Sequence, residues 1–375
     1  MRLGNPFAAQ TPFYACMLIS CQYNVRVIPM VDMKLLAKLT ESFGVPGYEH
    51  EIAGIMVEEF RKAGYKAEID NFGNVIARSS ATKKKPIMLG AHMDEIGMLV
   101  KYINEKGFIR FVKVGGIDNR ALVNQRVVLE TDKGRIYGVI GNKPPHMQKA
   151  EDMKAAIDNK SLFIDIGAKN KKDAEKMGVK IGDPICFDIS TKVLNGKLVT
   201  GKALDNRVGC YVLLELAKKL KNRNVVLVGT TQEEVSTFGK GAMIAAYNLE
   251  PSAFIAVDTS IAGDHPEMSE DESLIHLGKG PALCLVEAGG RGNFADAKLK
   301  KMSIDVAKKS KIPYQIEVIE GGATDAASVY GERGGIPSIA ICVPTRYIHS
   351  NVAVCALDDI DKTTSYLVKF VEALA

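Results

Sequence analysis

Pro86-Ile-Met-Leu-Gly-Ala-His92-Met-Asp94 is the stretch on which the fold turns. An apolar run of strand length closes on a histidine, and a carboxylate follows two residues later. Side chains two apart on an extended backbone share a face. Asp94 is therefore expected to accept a hydrogen bond from the ring nitrogen that His92 does not give to a metal, fixing tautomer and orientation.

Four more segments carry a potential ligand at the end of a short run. Gly201-Lys-Ala-Leu-Asp205-Asn-Arg-Val-Gly209 opens an amphipathic, helix-like stretch over 208–220, where a carboxylate is often only an N-cap. Asn224-Val-Val-Leu-Val-Gly-Thr-Thr-Gln-Glu233-Glu234 is a β-branched strand running into two adjacent carboxylates. Neighbours at a strand end point in different directions, so one glutamate can bind metal while the other faces substrate as a general base. Ala253-Phe-Ile-Ala-Val-Asp258 is again an apolar run closed by aspartate, and the run from Ser338 leads to His349. Each residue alone has an ordinary use as cap, turn or local hydrogen-bond partner. Two histidines and three carboxylates plus a spare glutamate, all outside strand ends, suit two divalent ions sharing a bridging carboxylate in an open α/β sheet.

His92 and Asp205 are 113 residues apart (205 − 92), far more than a crossover helix needs. The interval reads as short strands with glycine turns at 108–114, 126–130, 134–140, 162–166 and 183–188. An inserted small β-barrel-like domain over 103–197 is expected, splitting a catalytic α/β domain made of 30–102 and 198–375. Helical patterns flank the catalytic strands at 32–40, 49–63, 208–220, 295–310 and 358–373.

A chain of 375 residues suits two domains, and 46% hydrophobic with 25% charged residues is ordinary for a globular enzyme. The net charge of +5 is dispersed, and its densest basic run, Lys83-Lys84-Lys85, sits in a polar turn. Nucleic acid is not implied. No run of 18 apolar residues occurs, so no spanning helix is expected. Seven cysteines at 16, 21, 186, 210, 284, 342 and 355 show no metal-finger spacing and read as thiols of a reducing cytoplasm, Cys355 being the more exposed. Residues 1–29 read as a disordered or mis-assigned extension, with Met30 or Met33 as the alternative start. Leu18-Ile-Ser-Cys21 is only faintly similar to a lipoprotein cleavage site, and the charged segment before it is thin.

The chain resembles the tetrahedral (TET-type) aminopeptidases, a family that includes glutamyl and deblocking aminopeptidases and proteins described as endoglucanases. The resemblance runs from about Met33 to the C-terminus. It is carried by Ala91-His92-Met-Asp94-Glu-Ile-Gly97, Gly138-Val-Ile-Gly-Asn-Lys-Pro-Pro-His146, Ala203-Leu-Asp205-Asn-Arg-Val-Gly209, Gln232-Glu233-Glu234-Val235, Val257-Asp258-Thr-Ser260, Gly321-Gly-Ala-Thr-Asp325 and Arg346-Tyr-Ile-His349-Ser350. It implies that Asp205 bridges two metals, that His92 and Asp258 complete one site and Glu234 and His349 the other, and that Glu233 is the base. It further implies two divalent ions per subunit, zinc or cobalt, and dimers through the inserted domain that build a hollow tetrahedral dodecamer. Glu287-Ala-Gly-Gly-Arg-Gly-Asn293 departs from the family by its glycine content where the substrate pocket is built.

The expected reaction is release of N-terminal residues from short peptides. Two metals about 3.5–4 Å apart would hold a bridging water, lower its pKa and polarise the scissile carbonyl. Glu233 would move the water's proton to the leaving amine. A related dinuclear carboxypeptidase or deacylase uses the same ligand types but places its insertion after the glutamate pair. A glycosidase needs paired carboxylates, often without metal.

Overall fold

The computed structural model describes residues 31–148, 157–235 and 239–374. The expectation for 1–29, with Cys16 and Cys21, lies outside the described residues. An eleven-stranded mixed sheet forms the centre, flanked by helices. Its middle is four neighbouring strands in parallel, in the order Val225–Thr230, Ile87–His92, Ala253–Ile261, Ser338–Arg346. Apart from Thr259, Ile261 and Arg346, every residue of these strands is buried, so they lie covered on both faces, and this is why they read as unbroken apolar runs instead of alternating ones.

Helices Met33–Glu41, His50–Lys62, Leu204–Lys219, Ala297–Ser310 and Leu357–Leu374 pack one face of the sheet around Leu36, Phe60, Leu213 and Phe370. Helix Lys240–Leu249 and the short helix Ala326–Val329 cover the other face, against Val226, Phe254 and Ala340. The sequence reading located the five helices of the first face to within a few residues and missed the Lys240–Leu249 helix. That segment, Lys-Gly-Ala-Met-Ile-Ala-Ala-Tyr-Asn-Leu, has little polar character from which to read a helical period.

Between the Ile87–His92 strand and the Leu204–Lys219 helix the chain forms a closed antiparallel barrel. Its strands run in the order Gly97–Ile103, Ile109–Val114, Phe163–Asp165, Gly134–Gly141, Arg126–Thr131 and Pro184–Phe187, the last pairing with the first. Ile109, Leu129, Ile164 and Ile185 fill it. The boundaries expected at 103 and 197 move at both ends. Gly97–Ile103 is a barrel strand, pairing with Ile109–Val114 and Pro184–Phe187. Lys192–Leu194 instead joins the large sheet through Leu198–Gly201. The first strand was invisible because it follows the His92 run after only four residues.

Cys355 corrects another expectation: its strand, Ala353–Ala356, pairs with Leu198–Gly201 on one side and Ser338–Arg346 on the other, and the thiol is fully buried. Among the described residues no helix is long and apolar enough to cross a membrane.

Candidate metal centre and active site

The carboxyl ends of the four parallel strands converge. His92 ends one strand. Glu233 and Glu234 lie just beyond Thr230, and His349 lies three residues past Arg346. Asp258 sits inside its strand, which continues to Ile261, instead of closing it. Asp205 arrives from the start of the Leu204–Lys219 helix. Its backbone there is not yet helical (φ −80°, ψ 106°), and its side chain caps nothing. Asn206 does that work: its Oδ1 accepts from Gly209 N (3.0 Å) while its Nδ2 donates to Val257 O (2.9 Å), beside Asp258. The N-cap alternative for Asp205 therefore fails, because its neighbour satisfies the helix and leaves Asp205 free.

His92 Nδ1 lies 3.1 Å from the Asp94 carbonyl oxygen. A carbonyl only accepts, so Nδ1 carries the proton and Nε2 faces the carboxylates. From Nε2, Asp205 Oδ1 is at 3.2 Å and Asp258 Oδ1 at 3.7 Å. On the other side, His349 Nε2 lies 3.6 Å from Asp205 Oδ2 and 3.5 Å from Glu234 Oε2. Asp205 thus turns one oxygen to each imidazole.

The expected role of the Asp94 carboxylate is corrected. It stands 3.7 Å from His92 Nδ1 and accepts instead from the backbone N–H groups of Glu233 (3.1 Å) and Glu234 (3.0 Å). Two backbone donors within 3.1 Å outcompete the ring nitrogen, whose proton the nearer Asp94 carbonyl already takes. Asp94 therefore sets the glutamate pair, while its main chain sets the histidine tautomer.

Charge is concentrated and buried here. Burial, reinforced by the surrounding carboxylates, raises Glu233, Glu234 and Asp258 well above the usual carboxylate range, although His92 opposes this. Burial also pushes Asp205 up, but the His92 hydrogen bond and the charges of both histidines leave it below its ordinary value. Burial pulls His92 down, and the carboxylates of Asp205, Asp258, Glu233 and Asp94 outweigh it, raising it well above normal. So many acids around two imidazoles call for added positive charge.

The spacing fits a cation as well. Two donors each about 2.1 Å from a tetrahedral ion lie roughly 3.4 Å apart, and the four histidine–carboxylate separations of 3.2, 3.7, 3.6 and 3.5 Å surround that value. One ligand atom each from His92, Asp205 and Glu234 lies within 4.8 Å of the other two, so these three could hold an ion together. Glu233 Oε2, 4.0 Å from His92 Nε2, lies farther off than any of those four histidine–carboxylate pairs.

Other residues here escaped the sequence reading. Asp325 was quoted only as part of a motif. It is buried, accepts from Thr230 Oγ1 (2.5 Å), and burial pushes its carboxyl up to about 6. Glu287 accepts from Thr324 Oγ1 (2.7 Å), Thr324 N (3.3 Å) and Asn293 N (3.3 Å), clamping the glycine-rich 287–293 turn onto the segment that carries Asp325. Only the glycines of the turn were visible in the sequence, not the carboxylate that holds it.

A sheet whose parallel middle gathers two histidines and a set of buried carboxylates at its carboxyl ends, with the inserted barrel, is the architecture of solved enzymes of the aminopeptidase class. The M42 glutamyl aminopeptidase family matches residues 73–365, and the chain belongs to that family. Aminopeptidase APDkam598 from the archaeon Desulfurococcus kamchatkensis is 37% identical, covering 90% of this chain and 94% of its own with a TM-score of 0.85. The TET1 peptidase of Pyrococcus horikoshii, whose structure shows assembly into a tetrahedron or a large octahedral shell, is 36% identical over 91% of this chain and 98% of its own, with a TM-score of 0.80. Lysyl aminopeptidase of Pyrococcus furiosus is 34% identical over 352 residues, 92% of this chain and 98% of its own length.

Proposed function

We propose that the protein is a dinuclear metal-dependent aminopeptidase that releases N-terminal amino acids from short peptides. The observation that carries this reading is Asp205, which presents Oδ1 to His92 and Oδ2 to His349 at 3.2 and 3.6 Å, as a carboxylate shared between two ions would. Asp205 would bridge, with His92 and Asp258 completing one site and Glu234 and His349 the other. Histidine nitrogens with carboxylate oxygens suit zinc or cobalt. When bound, such ions lower the pKa of a water toward neutrality and polarise a scissile carbonyl.

The protein's own residues do the rest. Asp94 holds the backbone of Glu233 and Glu234, so that Glu234 turns to His349 while Glu233 stays outside the ligand spacing. Glu233 is then the base that takes the attacking water's proton and delivers it to the departing amine. Because the family and one of its relatives are named for glutamyl and lysyl residues respectively, what the likeness supports is the shared chemistry of N-terminal removal.

We also assign residues 97–187 to a domain that makes dimers, from which a tetrahedral dodecamer is built. Tyr137 and Val139, on one outward face of a barrel strand, are 65% and 48% exposed, and a partner copy packed on that face would cover them. Five buried free cysteines among the described residues suit a cytoplasmic protein.

The test is hydrolysis of short peptides and amino-acid amides, with N-terminally blocked peptides as controls. Release of the free N-terminal residue should stop with a chelator and return with zinc or cobalt. Activity that survives complete metal removal, or cleavage from the C-terminus, refutes the reading.

A further inference from the structure

Directly behind the site lies a charged group that the reaction does not use. Glu95, next to Asp94, is 2% exposed; Lys202 is 4% exposed and Arg207 fully buried. Lys202 Nζ lies 2.7 Å from both Glu95 oxygens and donates also to Ser42 O (3.1 Å). Arg207 Nη2 lies 3.5 Å from Glu95 Oε1, and Nη1 donates to Leu39 O (2.5 Å) and Ser42 Oγ (2.6 Å). Cys186, on the barrel strand Pro184–Phe187, donates its thiol to Glu95 Oε1 (3.4 Å). Three charges in a dry interior are costly to desolvate, and replacement by apolar side chains would often serve stability as well.

Their positions along the chain suggest what they do instead. Lys202 and Arg207 flank Asp205, three residues before and two after, while Glu95 ends the segment that carries His92 and Asp94. The two cations therefore hold one segment and the carboxylate the other. His92 and Asp205, 113 residues apart, meet at 3.2 Å where these segments are clamped. The Glu95 backbone adds a further tie, donating to Gly44 O (2.9 Å).

We propose that Glu95 is a positioning residue. Its carboxylate, gripped by Lys202 and faced by Arg207, sets the spacing between His92 and Asp205, and through Cys186 it joins that spacing to the barrel. The inference rests on the metal-site reading above. It assigns Glu95 no contact with substrate or ion.

The experiment uses the full-length protein, stripped with chelator and titrated with zinc against a chromophoric chelator, alongside circular dichroism melts of the metal-free form. Glu95→Gln removes the charge at constant shape; Glu95→Asp keeps the charge but withdraws it by one methylene. Both variants should bind zinc about 10–100-fold more weakly, the range for partners that orient metal ligands, and activity should recover as zinc is raised to saturation. If stranding Lys202 and Arg207 prevents Glu95→Gln from folding, Glu95→Asp decides, since it keeps the carboxylate charge that faces both cations. Folded variants with lowered melting temperatures but wild-type zinc affinity would make the group purely structural and overturn the proposal. Wild-type protein that binds neither zinc nor cobalt tightly would overturn the metal-site reading and this inference with it.

Discussion

Replacing Glu233 with glutamine separates the base from the ligands. Its Oε2 lies 4.0 Å from His92 Nε2, beyond the 3.2–3.7 Å over which the histidine–carboxylate pairs are spaced. Glutamine keeps the shape and one acceptor oxygen but cannot take a proton, so the ligand set stays whole while proton transfer is lost. A positioned general base contributes about 10²–10⁴-fold, which is about 3–5 kcal/mol of barrier. The assay is kcat and KM on an amino-acid amide at saturating metal, with metal content measured on the same preparation. The expectation is a kcat lowered by that range, KM changed little, and two ions per chain. The acid limb of the wild-type pH–rate profile should flatten as well. Near-wild-type turnover with both ions present would remove Glu233 from proton transfer, and loss of an ion would make it a ligand.

Four further outcomes follow from the same geometry. Asp205→Ala should lose more metal than Glu233→Gln, because one residue serves both histidine sides; two tightly bound ions in that variant would place the bridge elsewhere. Asp94→Asn turns an accepting oxygen into a donor against the Glu233 or Glu234 N–H, a loss of about 1–3 kcal/mol, and should lower kcat; unchanged kinetics would show that the glutamate pair needs no such anchor. Glu317, buried on the strand Gln315–Val318 where it accepts from Ser260 Oγ (2.5 Å), is raised by burial from 4.5 to about 7, so its contribution to stability is fully present below pH 4.5 and is lost as pH rises through about 7. That shift is worth about 3 kcal/mol; melts of metal-free protein should fall more steeply over this window in wild type than in Glu317→Gln, and parallel curves would contradict it. Paired Tyr137→Glu and Val139→Glu changes should shrink the particle seen by light scattering, and an unchanged particle would exclude this face from assembly.

Much of the site was legible because parallel strands covered on both faces are written as unbroken apolar runs, and a polar residue that ends such a run stands out. His92, Glu234 and Asp258 were singled out as ligand candidates that way, Asp205 from the opening of a helix-like run and His349 from beyond the run that starts at Ser338, while the choice between Glu233 and Glu234 as ligand came from the resemblance. Hydrogen-bond partners were less legible. The spacing of His92 and Asp94 suggested a carboxylate–imidazole bond, yet the carboxylate accepts from Glu233 and Glu234, some 140 residues away in sequence. Asp205 looked like a possible cap until Asn206 was seen to fill that role.

The sequence by itself determined the covered parallel strands, the long helices, the presence of an inserted β segment and the chemical types at the strand ends, because each is a local pattern of polarity and backbone preference. Tertiary structure alone decided that Asp205 offers one oxygen to each histidine, that Asp94 anchors the glutamate pair, that the barrel begins at Gly97, and that Glu95 meets Lys202 and Arg207 in the interior. The physical reason is the range of the interactions. A strand or helix depends on residues a few positions apart, whereas a buried carboxylate bonds to whichever donors the fold brings within about 3 Å, and here those donors come from segments more than a hundred residues away.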